Sequence, residues 1–229
     1  MKRILFVILL VALTIKVSAN DFLGFQVGYA QPTTCLNTHD NKNNLTRTQY
    51  NGLKVGLVYD GTIIKGFGFS MGLNYTFGAN TSDWSSVGTL PYPKTRSKSF
   101  YHQLEIPIDW QYKFEIAQNT WVILYTGPTL QCGLDFSRRN FTDKGKEVTS
   151  TGENVFSVDD MKDYALKRIN VTWGVGAGFQ YDRYFIRGGY DFGIINPYKA
   201  QSFTGYDAYT RGRFDQWQIK LGMYIWQSK

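Results

Sequence analysis

Cysteine and histidine are scarce in this chain of 229 residues, with two of each. Cys35, Cys132, His39 and His102 stand far apart in the sequence. None of the short spacings that metal sites use is present, so neither a metal nor a cofactor is expected. Beyond the first 19 residues no apolar run reaches the ~18 residues that a membrane-spanning helix needs. There is no strong excess of charge either. The formal net charge is +7, and Lys2, Arg3 and Lys16 belong to a leader without acids, which leaves +4 on the rest. So modest a balance does not call for nucleic acid as a partner. No linker, second domain or tandem repeat of ~20–50 residues is visible.

Residues 1–19 read as a signal peptide. Lys2 and Arg3 give a positive start, ILFVILLVAL an apolar centre, and Val17-Ser18-Ala19 the small residues of a cleavage site. A membrane-anchoring helix is the rival reading, but the run is shorter than the ~20 residues that span a bilayer, and Lys16 interrupts it. No cysteine stands just after the cleavage point to carry a lipid. The remainder, 20–229, is expected to be one exported domain.

What the chain has in quantity is aromatic residues, at 17 %, and glycine, at 23 residues. They alternate. Between 166 and 194, Ile169, Val171, Trp173, Val175, Ala177 and Phe179 interleave with Arg168, Asn170, Thr172 and three glycines. After Asp182-Arg183, Tyr184, Ile186, Tyr190, Phe192 and Ile194 interleave with Arg187, Gly189, Asp191 and Gly193. Strand side chains point to opposite faces with period two, so each arm has one apolar and one small or polar face. Each arm exceeds the usual ~5–6 residues of a soluble strand and matches the ~9–11 of a transmembrane one.

The same alternation predicts strands near 21–30, 49–59, 66–77, 99–113, 120–134 and 213–227 besides the two arms of this hairpin. Asp60-Gly61 is expected to open a short turn, and Pro128 to force a local bulge. Within the loop 135–165, residues 157–164 could form a helical turn capped by Ser157. Connections alternate long and short, as in outer-membrane barrels with short periplasmic turns and longer outer loops. The expected fold is all-β, an eight-stranded antiparallel up-and-down transmembrane β-barrel with both termini periplasmic. Cys35 and Cys132 then fall on opposite sides, and two free thiols are expected although export permits a bridge. A secreted lipocalin-type barrel has the same alternation with its faces exchanged. Its outer face should be rich in Lys and Glu, whereas the polar face here is largely Gly, Ser, Asn, Thr and Gln.

Leu104-Glu105-Ile106-Pro107-Ile108, the run Gly174–Gly178 and the RGGYDFG of 187–193 carry a family likeness. The chain resembles the small eight-stranded outer-membrane barrels of Gram-negative bacteria, of the outer-membrane protein A and X kind, and the outer membrane protein beta-barrel domain families that include PorT-type proteins. The likeness covers 20–229 and implies fold and location, not an activity. In that family the closing strand ends on an aromatic residue that the assembly machinery reads. Here Trp226 points inward by parity.

Lys54, Glu105, Asp109, Lys113, Arg168, Arg187, Asp191 and Lys220 fall on the interior face. They are expected to form a structural charge network, because an eight-stranded barrel is narrow enough for its side chains to fill and unpaired buried charges are costly. Glu105 or Asp109 is expected to meet Lys220 across the lumen. No catalytic residue is expected: His102 sits on the lipid face beside Phe77 and Cys132, without a serine and a carboxylate. Arg138-Arg139 and Lys144–Lys146 offer cations to lipopolysaccharide phosphates. The expected role is display of four extracellular loops for adhesion, docking or envelope integrity. A narrow porin-like channel, or an accessory subunit of a secretion apparatus, are the alternatives.

Overall fold

The computed structural model describes residues 21–37, 45–82, 95–142, 147–148, 156, 166–197 and 211–228. Among these there is no helix, and ten strands make one sheet: β1 (Asp21–Asn37), β2 (Leu45–Gln49), β3 (Asn51–Ile64), β4 (Phe67–Thr81), β5 (Thr95–Ala117), β6 (Thr120–Thr142), β7 (Glu147–Val148), β8 (Ile169–Tyr181), β9 (Tyr184–Gly193) and β10 (Arg211–Gln227). Every pairing is antiparallel. The order runs β1, β3, β4, β5, β6, β8, β9, β10, and β10 pairs back onto β1. That last pairing extends from Phe22↔Gln227 to Asn37↔Arg211, so neither terminal strand is left as an open edge. Two short strands, β2 on β1 and β7 on β6, lengthen the rim.

Three two-residue turns lie at the end of the sheet where β1 begins and β10 finishes. They are Lys65-Gly66, Gln118-Asn119 and Asp182-Arg183. Lys65, Gly66, Asn119 and Asp182 take positive φ there, as tight hairpins with right-handed strand twist require. A side chain at Gly66 would also strike the Lys113 carbonyl at 2.4 Å, and the Lys113 amide donates to the Gly66 carbonyl at 2.8 Å. The turn expected at Asp60-Gly61 is therefore displaced to Lys65-Gly66, and β3 runs on through Asp60.

Most strands exceed the ranges expected from alternation, mainly at the end away from these turns. β1 reaches Asn37, while β5 begins at Thr95 and β6 ends at Thr142. The ladder outlasts the apolar period because backbone pairing needs no apolar face. The bulge expected at Pro128 is absent: Pro128 pairs in register with Trp173. The ladder with β5 merely skips the pairs between Pro107↔Thr129 and Trp110↔Thr126, without shifting. The helical turn expected over 157–164 lies outside the described residues.

The two faces differ sharply. One residue from each strand of the ring, Val27, Leu57, Leu73, Ile108, Leu124, Val175, Ile186 and Leu221, presents an exposed apolar side chain. These exposed side chains ring the sheet, far more apolar surface than a water-soluble monomer shows. Aromatic pairs flank it, Tyr112 with Phe114 at 4.5 Å near the turns and Tyr29 with Trp217 at 5.1 Å toward the other end, as girdles do at both lipid interfaces. The lipocalin arrangement would bury this face. No helix among the described residues is long and apolar enough to cross a membrane; the crossing is made by strands.

Trp226 differs from its expected direction. The register moves from Leu23↔Trp226 to Gly24↔Tyr224, so Ile225 is an extra residue. One extra residue reverses the parity of everything beyond it. Tyr224 remains inside and Trp226 turns outward, 52 % exposed.

Candidate functional site

The interior is filled at three levels. Nearest the turns, Asp60 accepts from the Arg187 guanidinium at 2.5 Å and from the Lys113 ammonium at 3.0 Å. The Tyr224 hydroxyl also donates to Asp60. Arg187 donates further to Ser70 at 2.9 Å and to the Tyr224 hydroxyl at 3.0 Å. Phe22, Val58, Phe185 and Tyr224 pack around this knot. The Lys113 ammonium lies 4.9 Å from the Phe22 ring centre, and the Arg187 guanidinium 4.9 Å from that of Phe185. A cavity of about 600 Å³, which Lys113 and Phe22 help to line, opens beneath it.

At mid-height Lys54, fully buried, meets Glu105 at 2.5 Å and the Gln218 amide oxygen at 2.6 Å. Glu105 also accepts from the Thr76 hydroxyl at 2.6 Å. Gln218 donates to Asp191 at 2.9 Å, and Gln26 to Asn74 at 2.7 Å. These partners come from β1, β3, β4, β5, β9 and β10, so the network ties the ring across its lumen. The Lys220 ammonium faces the Tyr125 ring at 6.0 Å. Gly176 and Gly189, directly opposite one another, make room for Tyr125: a side chain on either would meet its hydroxyl within 2.5 Å.

At the end away from the turns, Tyr50, Tyr101, Phe136, Phe156, Leu166 and Phe214 form a buried apolar cluster. Tyr101 stands at its centre, with ring centres 5.6 to 6.4 Å from Phe214, Phe136, Tyr50 and Phe156.

Seven of the eight residues assigned to the interior, Lys54, Glu105, Asp109, Lys113, Arg187, Asp191 and Lys220, face it. Arg168 does not: it is exposed, just ahead of β8. The pairing across the lumen differs for Glu105, which is taken by Lys54 rather than Lys220, while Asp109 and Lys220 do act on one another as opposite charges. Asp60 went unrecognised because Asp-Gly reads as a turn. Its signal was the continuing inward series Lys54, Gly56, Val58, Asp60. Asp215 was missed as well. It accepts from the Gly193 amide at 3.0 Å, Arg213 Nε at 2.8 Å and the Tyr190 hydroxyl at 3.1 Å. It thereby caps β9 where that strand stops.

His102 Nδ1 lies 2.5 Å from the Tyr75 hydroxyl. A register shift beside it places Asp135, not Cys132, opposite. Both cysteines are free thiols, Cys35 buried and Cys132 half-buried. No group of histidine, cysteine or acidic side chains among the described residues could hold a metal ion.

A sheet whose last strand returns to its first, apolar outside and polar inside, defines an integral membrane protein of the barrel class. The family described as "Outer membrane protein beta-barrel domain" matches residues 16–198, and the chain belongs to it. It is an outer-membrane protein of the Gram-negative envelope. No curated relative matches. Among solved structures the chain is similar to Ail, the attachment invasion locus protein of Yersinia pestis, in complex with the heparin analogue sucrose octasulfate. The identity is 11 % and the TM-score 0.40, over 90 % of this chain and 99 % of that one. It is also similar to Neisserial surface protein A, at 12 % identity and a TM-score of 0.37, over 88 % and 97 %. The N-terminal β-barrel domain of Pseudomonas aeruginosa OprF matches at 8 % identity and a TM-score of 0.25, over 86 % and 97 %.

Proposed function

We propose that this chain, freed of residues 1–19, is an eight-stranded up-and-down transmembrane barrel of structural and interaction type. Both termini and the three short turns face the periplasm. The four longer connections face outward, for adhesion, docking or envelope integrity. The observation that carries this reading is the filled lumen. Buried side chains occupy it at the turn end, at mid-height and at the outer end, so the work of the protein falls to its outer surface.

The channel reading requires a continuous wet path, and the Asp60–Arg187–Lys113 knot stands across it. In planar bilayers the purified barrel is expected to show no steady conductance. Steady current that disappears when Lys54 and Glu105 are changed together would replace the display reading with a channel. A role as a secretion subunit predicts recovery with partner proteins in mild detergent, and recovery of the barrel alone counts against it.

Orientation has its own test. Trypsin added to intact cells is expected to cut within 143–165, which carries Lys144, Lys146 and Lys162, and to spare Arg183 in the β8–β9 turn. Cleavage at Arg183 instead would invert the topology.

Lipopolysaccharide is the proposed outer neighbour. Lys98 and Arg139 are exposed and directly opposite in the β5–β6 ladder. Like charges so placed repel, and a phosphate between them relieves the repulsion.

A further inference from the structure

Beneath Phe156 the outer cluster encloses a space of about 20 Å³. Tyr101, Phe156 and Phe214 line its apolar side, and Gln103, Gln131 and Asn170 its polar side. Those three amides are 1 %, 1 % and 7 % exposed. Gln103 Nε2, Gln131 Nε2 and Asn170 Oδ1 have no hydrogen-bond partner among the described residues. Such groups are costly when buried without one. Asn170 donates to the Gln131 oxygen at 2.8 Å. Whichever way this pair of amides is turned, it leaves one free donor and one free acceptor.

The Phe156 ring enters tip first. A side chain at Gly133 would strike its Cζ at 2.1 Å and both Cε atoms at 2.6 Å. Gly133 is the register partner of Gln103 and lies two residues from Gln131. The ring tip therefore points toward the strand positions that carry the amides, and a hydrocarbon ring can satisfy none of them. Two free N–H donors and one free carbonyl complement a single hydroxyl, which has two lone pairs and one proton.

We propose that this cup is a binding site for a phenolic ring, in which Phe156 is the chain's own hydrocarbon stand-in. A small phenol takes the place of the Phe156 ring and sets its hydroxyl on Gln103, Gln131 and Asn170. The aromatic walls hold the ring and the amides select its hydroxyl. A site with buried polar groups discriminates against the analogue that leaves them unpaired.

The test is titration of the refolded barrel in lipid nanodiscs with p-cresol and with toluene, read by saturation-transfer NMR. Gly133→Ala, whose methyl group occupies the ring's seat, reports partition into lipid alone. The expected result is p-cresol binding to the wild type about tenfold or more tighter than toluene. Gln131→Leu should reduce p-cresol to the level of toluene, and Phe156→Ala should tighten it by removing the internal competitor. N-acetyltyrosinamide, run in parallel, distinguishes the side chain of a peptide from a free phenol; preference for either over toluene supports the site. Equal binding of p-cresol and toluene overturns the proposal, as does binding by Phe156→Ala alone. Absence of binding to both proteins means that the space holds a trapped water only. Heat-modifiable migration confirms that each variant is folded.

Discussion

Asp60→Asn lowers the stability of the folded barrel by about 3–5 kcal/mol, the cost of breaking a buried ion pair by removing one partner. Asp60 is fully buried, and it faces two cations at once, Arg187 at 2.5 Å and Lys113 at 3.0 Å. Neutralising it leaves a guanidinium and an ammonium side by side inside the barrel. Arg187→Met costs less, because Lys113 and the Tyr224 hydroxyl still serve the carboxylate. The double variant Asp60→Asn with Arg187→Met recovers part of the loss, since the remaining cation no longer faces a second one, and the two changes are not additive. Urea titration of barrels folded into vesicles measures all three. If Asp60→Asn unfolds at the wild-type midpoint, the knot holds nothing together and the turn end is closed by its aromatic side chains alone.

The sequence made the sheet legible because the bilayer imposes a simple rule on it. Leu53, Val55 and Leu57 against Gly52, Lys54 and Gly56 can be nothing but a two-faced strand, and the alternation of long and short connections orders such strands without further information. The rule ends where the lipid ends. The outer parts of β5 and β6, from Thr95 and to Thr142, lose the apolar period yet keep their ladder, so their length could not be read. Parity also fails silently at a bulge. Nothing in Tyr224-Ile225-Trp226 shows that Ile225 is the extra residue, and the outward turn of Trp226 follows from pairing with β1. Knowing which residues face inward does not say which of them meet. That depends on the stagger of strands around the ring, which sets Lys54 on Glu105 and places Lys220 near the Tyr125 ring and Asp109. Phe156 lay beyond any strand pattern: its place is set by the gap at Gly133, on a different segment.

Val175→Arg and Leu221→Arg test the premise beneath all of this, that lipid lies against the apolar face. Val175 stands seven residues before Asp182, and Leu221 six before the end of β10 at Gln227. Each strand residue rises ~3.3 Å along a strand tilted ~35–45°, so both positions lie about 14–19 Å above the turn end, near the middle of the hydrocarbon. Both side chains are exposed, at 44 % and 57 %. An arginine there costs about 2–4 kcal/mol at the midplane and little near the interfaces. The neighbour Lys220 faces the lumen, and Lys220→Gln is the control. It keeps a polar group in a polar interior and is expected to change stability far less, except for what it takes from Asp109, the carboxylate that Lys220 faces as an opposite charge; Asp109→Asn added to Lys220→Gln restores that part. Folding into vesicles followed by denaturant titration gives these values. Should the two arginine variants fold as stably as the wild type, the apolar face does not meet lipid, and the same alternation would describe a water-soluble barrel with its faces exchanged.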